Sequence, residues 1–181
     1  MDEEILIPLV AYGIPGAIVA TAVAVFVRRF AKERAAAARA AEDRRAREIE
    51  VDAMLRRLRA DPAMRVDVTG ADAFFREKKG EVAWWGGVVI AKGARASDYE
   101  GGVLLVTDKR VAFNYTNPSR SDWSKPWASV VRWQSFGGER LEIDMNSGPA
   151  KVFVIGSKLG APAHMDARVI ALLMSRASGR R

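Results

Sequence analysis

The chain has no cysteine and only one histidine, His164. Disulfides, thiol nucleophiles and the common zinc sites are therefore excluded, and a reducing compartment fits. No Gly-x-Ser-x-Gly elbow and no glycine-rich phosphate loop occurs anywhere in the 181 residues. These gaps point away from catalysis: no catalytic residue, metal ligand or cofactor is expected, and His164 reads as a surface or helix-start residue. Charge is absent from residues 5–27, and no Lys or Arg precedes residue 28. Residues 28–60 lack both glycine and proline.

The uncharged run, ILIPLVAYGIPGAIVATAVAVFV, is long enough to cross a hydrocarbon core as a helix. Its flank is Asp2-Glu3-Glu4 rather than the basic n-region of a signal peptide. A single transmembrane helix within residues 1–27 is thus expected, making the membrane an integral partner. Arg28, Arg29, Lys32 and Arg34 follow the run at once, so the positive-inside rule puts the N-terminus outside and the rest in the cytoplasm. The expected localisation is the plasma (inner) membrane, single-pass. Gly16, Ala20 and Ala24 form a small-residue stripe of the kind that lets two spans approach.

Residues 28–60 hold eleven Lys/Arg against six Asp/Glu and are rich in Ala, which predicts a basic helical stalk. From Ile49 onward Val51, Met54, Leu55 and Leu58 recur at helical spacing and should bury one face. Asp61-Pro62 ends the helix. Arg28, Arg29, Lys32 and Arg34 are candidates for anionic lipid headgroups, each contributing about 1 kcal/mol near a membrane surface. Nucleic acid is an unlikely partner despite the net charge of +7, because no aromatic residues interleave with the stalk arginines. Arginine outnumbers lysine 21 to 8, a composition that hints at a bacterial or phage source.

A linker with a short helix is expected over 61–79, and from residue 80 the pattern changes to short β-favouring runs. Strands are predicted at 82–85 and 88–91, a hairpin at 103–107 and 111–115, and further strands at 129–134, 141–145 and 151–155. Leu141, Ile143 and Met145 alternate with Glu142 and Asp144, so that strand has one wet face. Pro162 opens an amphipathic helix bearing Met165, Val169, Leu172 and Leu173. The fold class is α+β: about seven antiparallel strands in a small barrel or sandwich over 80–181, capped by a C-terminal helix. Of five tryptophans most should pack in the core. Trp84 and Trp85 are adjacent in a strand and face opposite ways, so one of that pair is the candidate partner-binding anchor.

Gly80-Glu81-Val82, the run from Gly102 to Phe113 (GVLLVTDKRVAF) and WSKPWASVV from Trp123 resemble the pleckstrin-homology-like superfold, its GRAM and bacterial branches in particular. The resemblance spans roughly residues 72–177. It implies a non-catalytic scaffold that binds lipids, peptides or copies of itself. In phosphoinositide-binding members the first hairpin carries the phosphate ligands, and its counterpart here offers Lys92 and Arg95, with Asp98 and Glu100 opposing them. The expected function is a non-enzymatic, membrane-anchored adaptor that recruits a protein partner, or itself as a homo-oligomer. A self-assembling structural membrane protein and a domain for anionic lipid headgroups are the alternatives.

Overall fold

The structure, a computed structural model, describes residues 3–66, 80–93, 98–156 and 162–180, with side chains from residue 25 onward. One helix, α1 (Glu3–Ala60), is followed by seven strands: β1 (Ala83–Lys92), β2 (Tyr99–Thr107), β3 (Arg110–Tyr115), β4 (Trp123–Pro126), β5 (Val130–Phe136), β6 (Arg140–Met145) and β7 (Lys151–Val154). A second helix, α2 (Ala167–Ala177), closes the chain. Two compact units result, residues 1–45 and 46–181.

The expected single membrane span is corrected here. Among the described residues no helix is long and apolar enough to cross a membrane. From Arg28 onward α1 is crowded with arginine, and each such charge costs about 2.5–3.5 kcal/mol at a bilayer centre. The integral membrane partner, the N-terminus-outside topology and the single-pass inner-membrane localisation lose their support with the span. Side chains of residues 1–24, including the stripe of Gly16, Ala20 and Ala24, lie outside the described residues. From Val25 to Arg45 the first unit presents almost wholly exposed side chains. Its contacts are local: Phe26 stacks on Phe30, the Arg34 guanidinium lies 4.8 Å over the Phe30 ring, and Arg29 pairs with Glu33 at 3.1 Å.

In the second unit the strands form a single antiparallel sheet ordered β4-β3-β2-β1-β7-β6-β5. Neighbouring strands in the sheet are consecutive in sequence except at one junction, where the first strand meets the last, and the consecutive β4 and β5 form its two edges. There Ile90, Ala91 and Lys92 lie opposite Val154, Phe153 and Val152. The Asp108–Lys109 turn joins β2 to β3, with Leu104 opposite Phe113 and Leu105 opposite Ala112. β2 is buried continuously from Gly102 to Thr107, so both of its faces are covered. The apolar alternation at Leu141, Ile143 and Met145 places all three inside. β4 had no counterpart among the expected strands, because four residues containing Lys125 and Pro126 carry no apolar alternation.

α2 packs against β1, β2, β5 and β6 and buries Val169, Ile170, Leu173 and Met174. It begins at Ala167 with Asp166 as N-cap, accepting from the Arg168 amide. Pro162 instead precedes a 3-10 turn, Ala163–Met165, that contains His164. The last turns of α1 belong to the same core: Val51, Leu55 and Leu58 are buried with the inner faces of the strands. Arg168 fastens them, reaching the Glu48 carboxylate at 2.5 and 2.9 Å while its Nε holds Asp166 at 2.9 Å.

Candidate functional site

The β1–β2 ends, the β3–β4 connection and the start of β7 surround an open hollow of about 860 Å³. Its apolar wall is built by strand alternation. Phe113 and Tyr115 point the same way along β3, and Phe113 lies opposite Trp123 on β4. Phe153 reaches the same space from β7. The rings form a contiguous cluster: Phe113 meets Tyr115 edge-on at 4.8 Å and Phe153 at 5.3 Å, and Trp123 lies 6.2 Å from Phe153. Phe113 and Phe153 are fully buried, whereas Tyr115 and Trp123 are half-buried and line the hollow.

Charged groups of both signs line the same hollow: Lys92, Asp98, Glu100, Arg120 and Lys151. The Arg120 Nε donates to Glu100 Oε1 at 2.6 Å, and this hydrogen bond is the main cause of the raised Arg120 pKa. Burial, and then the charge of Glu100, push the Tyr115 phenol above its ordinary value. Lys92 and Lys151 form no ion pair among the described residues. The loop that supplies Arg120 is held by its own polar groups. Asn117 accepts from the Ser119 amide through its side chain and from the Arg120 amide through its carbonyl, and Asp122 accepts from the Tyr115 amide at 2.9 Å. At the β1 end Gly93 donates to the Asp98 carbonyl at 2.7 Å, and a Cβ on Gly93 would lie 2.6 Å from the Asp98 Cβ. Glycine there allows that close approach.

The sequence-derived candidates fall in separate places. Lys92 is exposed and lines the hollow, while Arg95 lies outside the described residues. Arg28, Arg29, Lys32 and Arg34 are exposed on the first unit, two of them engaged with Glu33 and Phe30. Trp85 is fully buried, its Nε1 donating to the His164 carbonyl at 2.9 Å, so it is out of reach of any partner. Trp84 on the opposite face is half-buried, packs against the core and carries the Arg65 guanidinium 5.5 Å from its ring. Neither tryptophan lines the hollow. Tyr115, Arg120 and Lys151 were not singled out by sequence, and Trp123 only as one of five tryptophans. Lys151 and Lys92 meet only because β7 pairs with β1, and no local pattern announces a pairing between chain ends.

The residues carrying the motif resemblance do a different job. The Arg110 guanidinium holds the buried Glu81 carboxylate through Nε at 2.6 Å and Nη2 at 2.9 Å. Thr107 donates to Glu81 Oε1 at 2.7 Å and accepts from the amides of Lys109 and Arg110. Trp127 closes the group by donating to the Thr107 carbonyl at 2.9 Å. Glu81, Thr107, Arg110 and Trp127 thus fasten the β2–β3 hairpin to the chain entering β1, and none of them lines the hollow. Among the described residues no cluster of three or more His, Asp or Glu suits a metal ion.

No family model matches the chain, and no curated protein matches it. Among solved structures it is similar to the C-terminal domain of an unknown protein from Leishmania infantum, at 12% identity and a TM-score of 0.42, covering 55% of this chain and 86% of that one. A likeness at that level carries no argument about fold or function.

Proposed function

We propose that this chain is a non-enzymatic adaptor whose pleckstrin-homology-like domain receives a segment of a partner protein in the hollow between β1–β2, β3–β4 and β7. The meandering strand order with β1 joined to β7, followed by a C-terminal helix packed on the sheet, supports the superfold reading. The observation that carries the binding reading is the accessible aromatic wall of Tyr115 and Trp123 bordered by charges of both signs. Aromatic rings give large contact area at small entropic cost, and paired charges at a rim favour specificity over a single dense anion. Asp98 and Glu100 weaken attraction for a polyphosphate, whereas a peptide brings complementary groups of either sign.

A second reading rests on Lys92 and Lys151, which remain available to an anionic lipid headgroup. One experiment separates the two. Peptides selected on the full chain from a displayed library, and vesicles of neutral lipid with and without added anionic lipid, are titrated against the wild type, Trp123→Ala and Lys151→Glu. Peptide binding that falls about tenfold or more in Trp123→Ala supports the adaptor. Tight anionic-vesicle binding abolished by Lys151→Glu, with no peptide selected, overturns it in favour of the headgroup.

A further inference from the structure

We propose that β5 is a self-pairing edge: two copies of this chain join antiparallel along residues 132–136, with the twofold axis at Gln134. β4 and β5 are the two outer strands of the sheet among the described residues. They differ in how an unpaired edge is protected. β4 is four residues long and ends in Lys125 and Pro126, both of which discourage strand addition. β5 is seven residues long, contains neither lysine nor proline, and exposes Val131 (59%) and Phe136 (47%). Its first residues are already covered. The Arg180 guanidinium takes the carbonyls of Trp127, Val130 and Val131. Among the described residues the backbone edge of the remaining stretch, 132–136, stays open.

The side chains of that stretch suit a second copy of the same strand. Antiparallel pairing about a twofold perpendicular to the sheet sets one residue opposite itself. With Gln134 there, the open stretch pairs entirely with its own copy: Arg132 faces the partner's Phe136 and Trp133 faces the partner's Ser135. A carboxamide both donates and accepts, so Gln134 bonds its own image. Arg132 is exposed on the same sheet face as Phe136, and guanidinium over phenyl is a favourable cross-strand pair. Centring the axis on Arg132 would instead set two guanidiniums against each other, and centring it on Phe136 would leave Arg132 without a partner residue, because the chain turns away into β6 at Gly137.

The absence of cysteine makes the test direct, because a single introduced thiol reports one position. Directly opposed residues lie about 4.5–5.5 Å apart at Cα, within disulfide reach. Under mild oxidation of the full chain, Gln134→Cys should give a disulfide-linked dimer at least ten times faster than Lys125→Cys on the other edge. Adding Phe136→Lys, which sets an ammonium against the partner's Arg132, should slow that linkage at least tenfold, and Arg132→Glu introduced together with Phe136→Lys should restore it. Equal rates for Gln134→Cys and Lys125→Cys, or a rate indifferent to Phe136→Lys, would overturn the pairing.

Discussion

Glu81 is buried with its charge, and its neighbours explain why that is tolerated. The carboxylate meets Arg110 through two guanidinium hydrogen bonds and Thr107 through a third. Removing only the cation strands the anion. Arg110→Met should therefore cost about 3–5 kcal/mol in urea denaturation. Adding Glu81→Leu should return much of the loss, since a buried pair replaced by apolar groups is often close to neutral. A double variant no better than the single one would show that hydrogen bonding to Thr107, rather than charge pairing, sets the cost. The Glu48–Arg168 pair is of another kind, because Glu48 is half-exposed. Its hydrogen bond to Arg168 holds the Glu48 carboxyl below its usual value of 4.5. A depressed folded-state pKa gives stability that is present above the unfolded value and lost as pH falls through the folded one. The Tm difference between wild type and Glu48→Gln should accordingly be full at pH 7 and shrink below about pH 4.5.

At the scale of elements, the C-terminal quarter of α1 changes character along its length without any break in the helix. Val51, Leu55 and Leu58 are buried, whereas Ile49 is exposed although it belongs to the same apolar spacing. Leu58→Ala should lose about 2–5 kcal/mol, a core-sized penalty, and Ile49→Ala should stay within about 0.5 kcal/mol. Chemical denaturation of the two variants checks both. The β2–β3 hairpin sets a comparable limit at Gly102, which lies opposite Tyr115. A Cβ there would come within 2.3 Å of the Phe113 ring and 2.4 Å of the Asn114 carbonyl oxygen. The oxygen belongs to the backbone and cannot swing aside. Gly102→Ala should lower the Tm by several degrees and disturb near-ultraviolet circular dichroism, which reports the packing of the Phe113 cluster (about 1 kcal/mol shifts Tm by 2–8 °C in domains of this size).

At the scale of the whole molecule, the hollow exists because β7 pairs with β1, far from it in sequence. Tyr115 measures its environment. Burial and Glu100 raise the phenol above the ordinary value of 10.0. An ultraviolet titration, resolved by subtracting Tyr115→Phe, should place this tyrosine above that value, and Glu100→Gln should bring it part of the way down. A Tyr115 titrating at or below 10 would mean that the wall is wetter than its packing implies. The strands and turns around this site were legible because each rests on local periodicity: the hairpin about Asp108–Lys109 and the Leu141–Met145 alternation follow from neighbours in sequence. The site itself was not legible. Lys92 was singled out, but Lys151 comes from β7 and Arg120 from the β3–β4 loop, and no periodicity encodes their meeting with β1. The prominent tryptophan pair drew attention by composition, yet Trp85 fills the core and Trp84 packs at its margin.

By itself the sequence determined the β-rich character of the second unit, the apolar face of Val51, Leu55 and Leu58, and the lack of any thiol chemistry. Those properties depend on which residues follow one another at spacings of two or of three and four. Only the tertiary structure decided which edge stays open on β5, which aromatic side chains remain accessible beside Lys92 and Lys151, and that Glu81, Thr107 and Arg110 form one buried polar group. Each of these depends on residues far apart in the chain being brought within a few ångströms. That proximity is fixed by the pairing of β7 with β1 and by the packing of helical segments against the sheet.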